Sequence, residues 1–160
     1  SGTIRRRGPA VRRALPSPQG YPMKHHLLAL VACATTTLAW ANPDFKNVPP
    51  SMQKSLHGIS AAQFDGGVLR AQMNKPEVTE LVYNTFVFHN ICAQQWHDPA
   101  QFARLGLTRV ELFNAAGTQG FAFDARGDVC EEMGKLGKNF RTFIGKYTQA
   151  CSASTCPPQR

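Results

Sequence analysis

The sequence predicts a mainly α fold: a small, disulfide-stapled helical domain with a minor β-hairpin, α+β being the alternative. Three observations predict it. Val129, Met133, Leu136, Phe140, Phe143 and Tyr147 recur at steps of four and three, the seam of a helix packed along a partner. Val78, Leu81, Val82, Thr85, Phe88, Cys92 and Trp96 repeat at helical steps, and Phe86, Val87 and Ile91 broaden that stripe toward full burial. Once an N-terminal export segment is set aside, Cys92, Cys130, Cys151 and Cys156 remain. An even count in an exported domain of this size points to two disulfides.

The export segment is residues 23–41. Met23-Lys24-His25-His26 opens it, an apolar run begins at Leu27, and Ala39-Trp40-Ala41 closes it with the small-x-small pattern of a signal-peptidase site. The run is shorter than the roughly 20 residues that span a bilayer, and Thr35, Thr36 and Thr37 dilute it. The competing reading is a lipoprotein signal, because Leu30-Val31-Ala32-Cys33 resembles a lipobox that would leave the chain lipid-anchored through Cys33. Residues 1–22, with Arg5, Arg6, Arg7, Arg12 and Arg13, read as an upstream or non-native leader. The expected organisation is therefore leader 1–22, signal peptide 23–41, extended linker 42–50 and a single globular domain 51–160, periplasmic or secreted.

Setting the first 41 residues aside changes the electrostatics. The whole chain carries a formal charge of +8, but from Asn42 on there are 12 Lys plus Arg against 10 Asp plus Glu, a net of +2. A phosphate-binding surface needs its positive charge in the folded part, so no nucleic-acid partner is expected, and no stable membrane insertion after cleavage.

Pro43, Pro49 and Pro50 make 42–50 an extended lead-in. A first helix starts at Ser51 with Met52, Leu56 and Ile59 on one face, and Ser60 caps a second helical stretch toward Met73 that Gly66-Gly67 interrupts. Pro76 sits in the first turn of the central helix, where Glu77 and Glu80 favour the dipole. Asp98-Pro99 restarts the chain as N-cap and first helical residue of a short helix ending by Gly106. The stretch 107–124 suits either a helix from Thr108 to Gly117 or a hairpin turning at Ala116-Gly117, with the hairpin preferred. Asp128 caps the last helix, Glu131 completes the box, and Gly134, Gly137 and Gly145 suggest a close neighbour.

If that last helix is continuous, Cys130 and Cys151 lie about 30 Å apart, beyond the reach of a disulfide. Cys156 is too close to Cys151 in sequence to return to Cys130. The remaining connectivity is Cys92–Cys130 with Cys151–Cys156.

Candidate chemistry is sparse. His97-Asp98 beside a cysteine-bearing helix resembles the His-Asp pair of secreted phospholipases, in which the histidine activates a water. The resemblance spans two residues, with no Gly-rich calcium loop, and Asp98 already serves as an N-cap. His89 and Cys92, three apart, could place an imidazole over a thiolate, yet a disulfide to Cys130 is the expected use of Cys92. Glu77 with Glu80 and Glu131 with Glu132 are explained by first helical turns. His57, His89 and His97 form no ligand cluster in sequence, and no motif asks for a metal or cofactor. What remains is surface: Phe121 and Phe123 on a Gly-rich segment and Lys135, Lys138 and Arg141 on the last helix are the expected partner-binding residues. The expected function is a small exported non-enzymatic protein that binds another protein, an inhibitor or immunity-type protein acting on a secreted or periplasmic enzyme or toxin. The alternatives are a small hydrolase using His97 and Asp98, or an envelope-assembly component.

Overall fold

The computed structural model describes residues 42–159; the leader, the signal peptide and Cys33 lie outside the described residues. The mainly α expectation is overturned. The chain forms an α/β fold around a six-stranded mixed sheet whose strands lie in chain order. They are β1 (Asp44–Lys46), β2 (Ile59–Asp65), β3 (Val68–Met73), β4 (Arg109–Phe113), β5 (Gln119–Asp124) and β6 (Thr148–Ser152). β1 runs parallel to β2 and β3 parallel to β4, while the other neighbours are antiparallel.

The stretch read as a helix near 60–73 is the β2–β3 hairpin. Gly66 and Gly67 form its turn with φ of 54° and 83°, the left-handed pair that a two-residue hairpin turn requires and glycine adopts without strain. Leu69 and Ala71 point into the core while Arg70 and Gln72 alternate with them, a period of two that decides for strand. The linker reading of 42–50 also gives way. Residues 44–46 are an edge strand, and Val48 belongs to the core. The hairpin within 107–124 is present, though as the middle of the sheet and not as a minor appendage.

Parallel neighbours need crossovers. A four-residue helix, α1 (Pro50–Gln53), connects β1 to β2. Between β3 and β4 run α2 (Glu80–Thr85), a π-helical stretch over Phe86–Cys92, α3 (Ala93–His97) and α4 (Pro99–Arg104). α2 begins four residues later than expected: Thr79 caps it, its hydroxyl accepting from the Val82 N–H at 3.3 Å, and Pro76 lies ahead of the helix and not in its first turn. The wider π turn rotates the buried stripe. Tyr83, Phe86, Val87 and Ile91 are buried, whereas Leu81 is 59% exposed. Asp98 caps α4 as expected, accepting from the Gln101 N–H at 2.9 Å.

The predicted long last helix is broken into α5 (Val129–Gly134), a 3-10 turn over Gly137–Asn139 and α6 (Phe140–Lys146). Gly137, with φ of 56°, interrupts the seam, so Leu136 is exposed and Ile144 is buried in place of the half-buried Phe143. The disulfides nevertheless pair as expected, Cys92 with Cys130 and Cys151 with Cys156. The rod-length argument does not hold for a broken helix. What joins Cys92 to Cys130 is the packing of α5 against the π turn, with Cα atoms 4.9 Å apart.

Every helix contributes to one core against a single face of the sheet, where Leu69, Ala71, Val110, Leu112 and Phe123 meet Tyr83, Val87, Ile91, Met133 and Ile144. Tyr83 reaches through it to Thr148, the two hydroxyls 2.9 Å apart, and burial pushes the phenol pKa up, so it stays protonated. Trp96 lies across α5, its indole N–H donating to the Cys130 carbonyl at 2.6 Å. A Cβ on Gly134 would stand 2.7 Å from that indole nitrogen. Gly134→Ala gains up to about 1 kcal/mol of helix propensity, but overpacking against a hydrogen-bonded indole costs about 1–3 kcal/mol. Denaturant unfolding is expected to show a net loss, and a gain in midpoint would mean the indole moves freely.

Candidate functional site

Among the described residues no helix packs on the other face of the sheet. Strand register arranges its side chains in transverse rows. One row runs Lys46, Gln63, Arg70, Glu111, Ala122 and Gln149, and the next runs Asp44, Ala61, Gln72, Phe113, Gly120 and Cys151. The two rows differ in height. Long polar side chains fill the first over β1–β4, whereas Ala61 leaves the second low over β2.

Over β4 and β5 this face is covered by the chain's own C-terminal tail, residues 153–159. After β6, Ala153 and Ser154 turn the chain back with φ of 48° and 65°. Ser152 and Thr155 exchange backbone hydrogen bonds of 2.9 Å across that turn, and the Cys151–Cys156 disulfide ties it. Arg70 Nη2 donates to the Ser154 carbonyl and Arg109 Nη2 to the Pro157 carbonyl, each at 2.6 Å. Gln159 Nε2 donates to the Thr108 carbonyl at 2.8 Å. Phe113, Ala122 and Cys151 form a small second core beneath.

The tail shelters a charged cluster. Glu111 accepts from Arg109 Nε at 2.9 Å and from Arg70 Nη1 at 3.3 Å. Arg109 and Glu111 are 7% and 9% exposed, while Arg70 remains open to solvent on one side, its guanidinium 4.3 Å over the Phe113 ring. Each carboxylate oxygen has one guanidinium N–H, so the cluster is internally satisfied. At the sheet end, the Arg126 guanidinium beside Asp124 holds its carboxyl below the usual carboxylate range.

Beside the tail lies an uncovered trough of about 330 Å³, bordered by Lys46, Gln63, Arg70, Gln72 and Ser154 with Ala61 at its floor. A second hollow of about 260 Å³ continues past Gln63 and Arg70 toward Asp65 and Val68. A trough of this size is within the range of ligand sites. Around the two hollows Lys46, Arg70 and Arg109 are offset by Asp44, Asp65 and Glu111: Glu111 is shared by the two arginines, and Lys46 lies 3.8 Å from Asp44.

The residues expected from sequence to bind a partner lie elsewhere. Phe123 is fully buried in the core, and Phe121 is half-buried with its ring 4.9 Å from that of Tyr83, so neither is a loop aromatic reaching into solvent. Lys135, Lys138 and Arg141 are exposed on the helical layer. Lys135 pairs with Glu131 at 2.9 Å and Arg141 lies 5.8 Å from the Phe140 ring, while Lys138 makes no ion pair among the described residues. His97 and Asp98 are both exposed, and the Asp98 carboxylate faces the α4 N–H groups, not the imidazole. Cys92 is spent in its disulfide, leaving His89 edge-on to Phe88. Among the described residues no three His, Cys, Asp or Glu side chains come together as metal ligands.

Sequence reasoning passed over Arg70, Gln63, Gln72 and Glu111. The available signal was Gly66-Gly67 between Phe64-Asp65 and Val68-Leu69, a hairpin turn that puts 68, 70 and 72 on one face. Compared with protein-family models, curated proteins and solved structures, the chain finds no match. Both disulfides accord with an extracellular or periplasmic location, and among the described residues no helix is long and apolar enough to cross a membrane.

Proposed function

We propose that the protein is an exported binding protein that inhibits or neutralises a secreted or periplasmic enzyme or toxin, and that it engages its partner through the helix-free face of the sheet. The observation that carries this reading is the asymmetry of the sheet: helices cover one face, while a charge-balanced polar trough stays open on the other. A protein that needed only stability would gain by covering that face. The hydrolase alternative loses support because the Asp98 carboxylate caps α4 instead of orienting the imidazole, and both His97 and Asp98 stand in solvent. A second docking surface is kept in view by Lys138, Arg141 and Lys146, which make no ion pair among the described residues.

The test is a pull-down from the exported fraction, with the captured protein identified and its activity assayed with and without this chain. His97→Ala is expected to leave capture and inhibition unchanged, while Gln63→Lys, at an exposed position on the open face, abolishes both. Loss of capture with Lys138→Glu/Arg141→Glu and not with Gln63→Lys would move the contact to the helical layer. Loss of ester or lipid turnover in His97→Ala would replace the binding reading with the hydrolase one.

A further inference from the structure

The open face already holds the chain's own tail by its backbone carbonyls, and one of the residues that holds it, Arg70, also borders the uncovered trough. In the tail, arginine N–H groups hold backbone carbonyls, Arg70 on Ser154 and Arg109 on Pro157. Elsewhere in the molecule a glutamine amide pairs with extended backbone in both directions. Gln119 Oε1 accepts the Val78 N–H at 2.8 Å and Gln119 Nε2 donates to the Val78 carbonyl at 3.0 Å. The trough beside the tail presents groups of the same kinds, two glutamine amides and the Arg70 guanidinium. Gln63 makes no side-chain hydrogen bond among the described residues, Gln72 donates to the Ala115 carbonyl and keeps its Oε1 free to accept, and Arg70 is open to solvent on one side.

We propose that the trough binds an extended peptide segment of the partner, laid along β2 and β3 beside the tail, with its peptide groups met by Gln63, Gln72 and Arg70. This deepens the binding-protein reading and rests on it. The surface is continuous with the one the tail occupies, and an amide that donates and accepts matches a peptide group. Asp44, Asp65 and Glu111 match Lys46, Arg70 and Arg109 one for one around the two hollows, so an anion finds no net attraction. The Phe113 ring is 1% exposed beneath Arg70, so a sugar ring finds no aromatic face to stack on. The two hollows run from Ala61 to Asp65 along β2, on the order of 13 Å at about 3.3 Å per residue, room for about four residues of extended chain.

The probe is a phage-displayed library of random heptapeptides panned against the full chain, with each enriched sequence remade as a synthetic peptide. Enriched peptides are expected to compete with one another, to lose about tenfold or more in affinity to Ala61→Trp, which fills the floor, and a smaller factor to Gln63→Ala. Arg104→Ala, on α4, leaves binding unchanged. Should Ala61→Trp fail to fold, Gln63→Trp on the solvent-facing row obstructs the same lane. The proposal is overturned if no peptide is enriched, if enriched peptides are indifferent to the obstructing variant, or if neutral oligosaccharides and not peptides shift the Gln63 side-chain amide resonances. A partner captured in the pull-down and insensitive to the obstruction would sink the trough proposal and leave the binding reading standing. Peptides held in the trough with no partner captured would do the reverse.

Discussion

Glu111→Ala is expected to destabilise the protein by about 3–5 kcal/mol, the cost of leaving a buried charge without its partner. The Glu111 carboxylate is the only acid joined to either Arg70 or Arg109 by an ion pair among the described residues. Its loss leaves the Arg109 guanidinium, 7% exposed, facing a single carbonyl of the tail. Arg70 is open to solvent at the trough, whereas Arg109 under the tail is 7% exposed, so most of the penalty falls on Arg109. The charge itself is not what the fold requires. Arg109→Met/Glu111→Leu removes both buried ions, and a hydrophobic replacement of a buried pair is often neutral or better. Denaturant unfolding with disulfides intact should therefore show a large loss for the single variant and substantial recovery for the double one. Equal losses would mean that the tail is held by Arg109's own hydrogen bond and not by the balance of charge.

The second large effect is expected at Cys92–Cys130. Closing a loop with a sequence separation of 38 removes unfolded-chain entropy worth about 4 kcal/mol, against about 2 kcal/mol for the separation of 5 at Cys151–Cys156. Cys92→Ala/Cys130→Ala also vacates two buried sulfur positions between the π turn and α5, so lost packing adds to the entropic term. Cys151→Ala/Cys156→Ala should cost less and act locally, loosening the tail and opening Arg109 to solvent. Unfolding free energies of the two double variants, with hydrogen exchange at the Arg109 and Glu111 amides, test the ordering. A larger loss at Cys151–Cys156 would show that the tail contributes more to stability than loop length predicts.

The elements legible in the sequence were those whose signal is local. Asp98-Pro99 specified an N-cap and a helix start whatever packed around them, and Ala116-Gly117 marked a hairpin turn between two short apolar runs. The misread elements were those where composition points one way and tertiary pairing another. Ala61, Ala62, Leu69 and Ala71 are strong helix formers, but they lie in strands because Gly66-Gly67 folds the segment back and β4 lies alongside to extend the ladder. The 4-3-4-3-4 seam of 129–147 was real as a pattern and broken by Gly137. The cysteine pairing survived because it depends on which elements pack together. The trough was the hardest feature to foresee, since Gln63 and Arg70 lie seven residues apart and become neighbours only through the β2–β3 register. The expectation of partly exposed aromatics held for Phe121, which is half-buried, and failed for Phe123, which the central strand places in the core.

The chain-order arrangement of the strands bears on how the molecule is made. Each strand pairs with its predecessor in the chain, so as the polypeptide emerges N-terminus first, β1, β2 and β3 can zip together before β4 has been delivered. Such sequential pairing lowers contact order and favours rapid folding. The tail follows β6 in the chain, so until it is delivered Arg109 and Glu111 face water. Burial of the charged cluster therefore comes after the sheet has formed, and a sheet assembled without the tail would carry an uncovered, hydrated ion cluster at its centre.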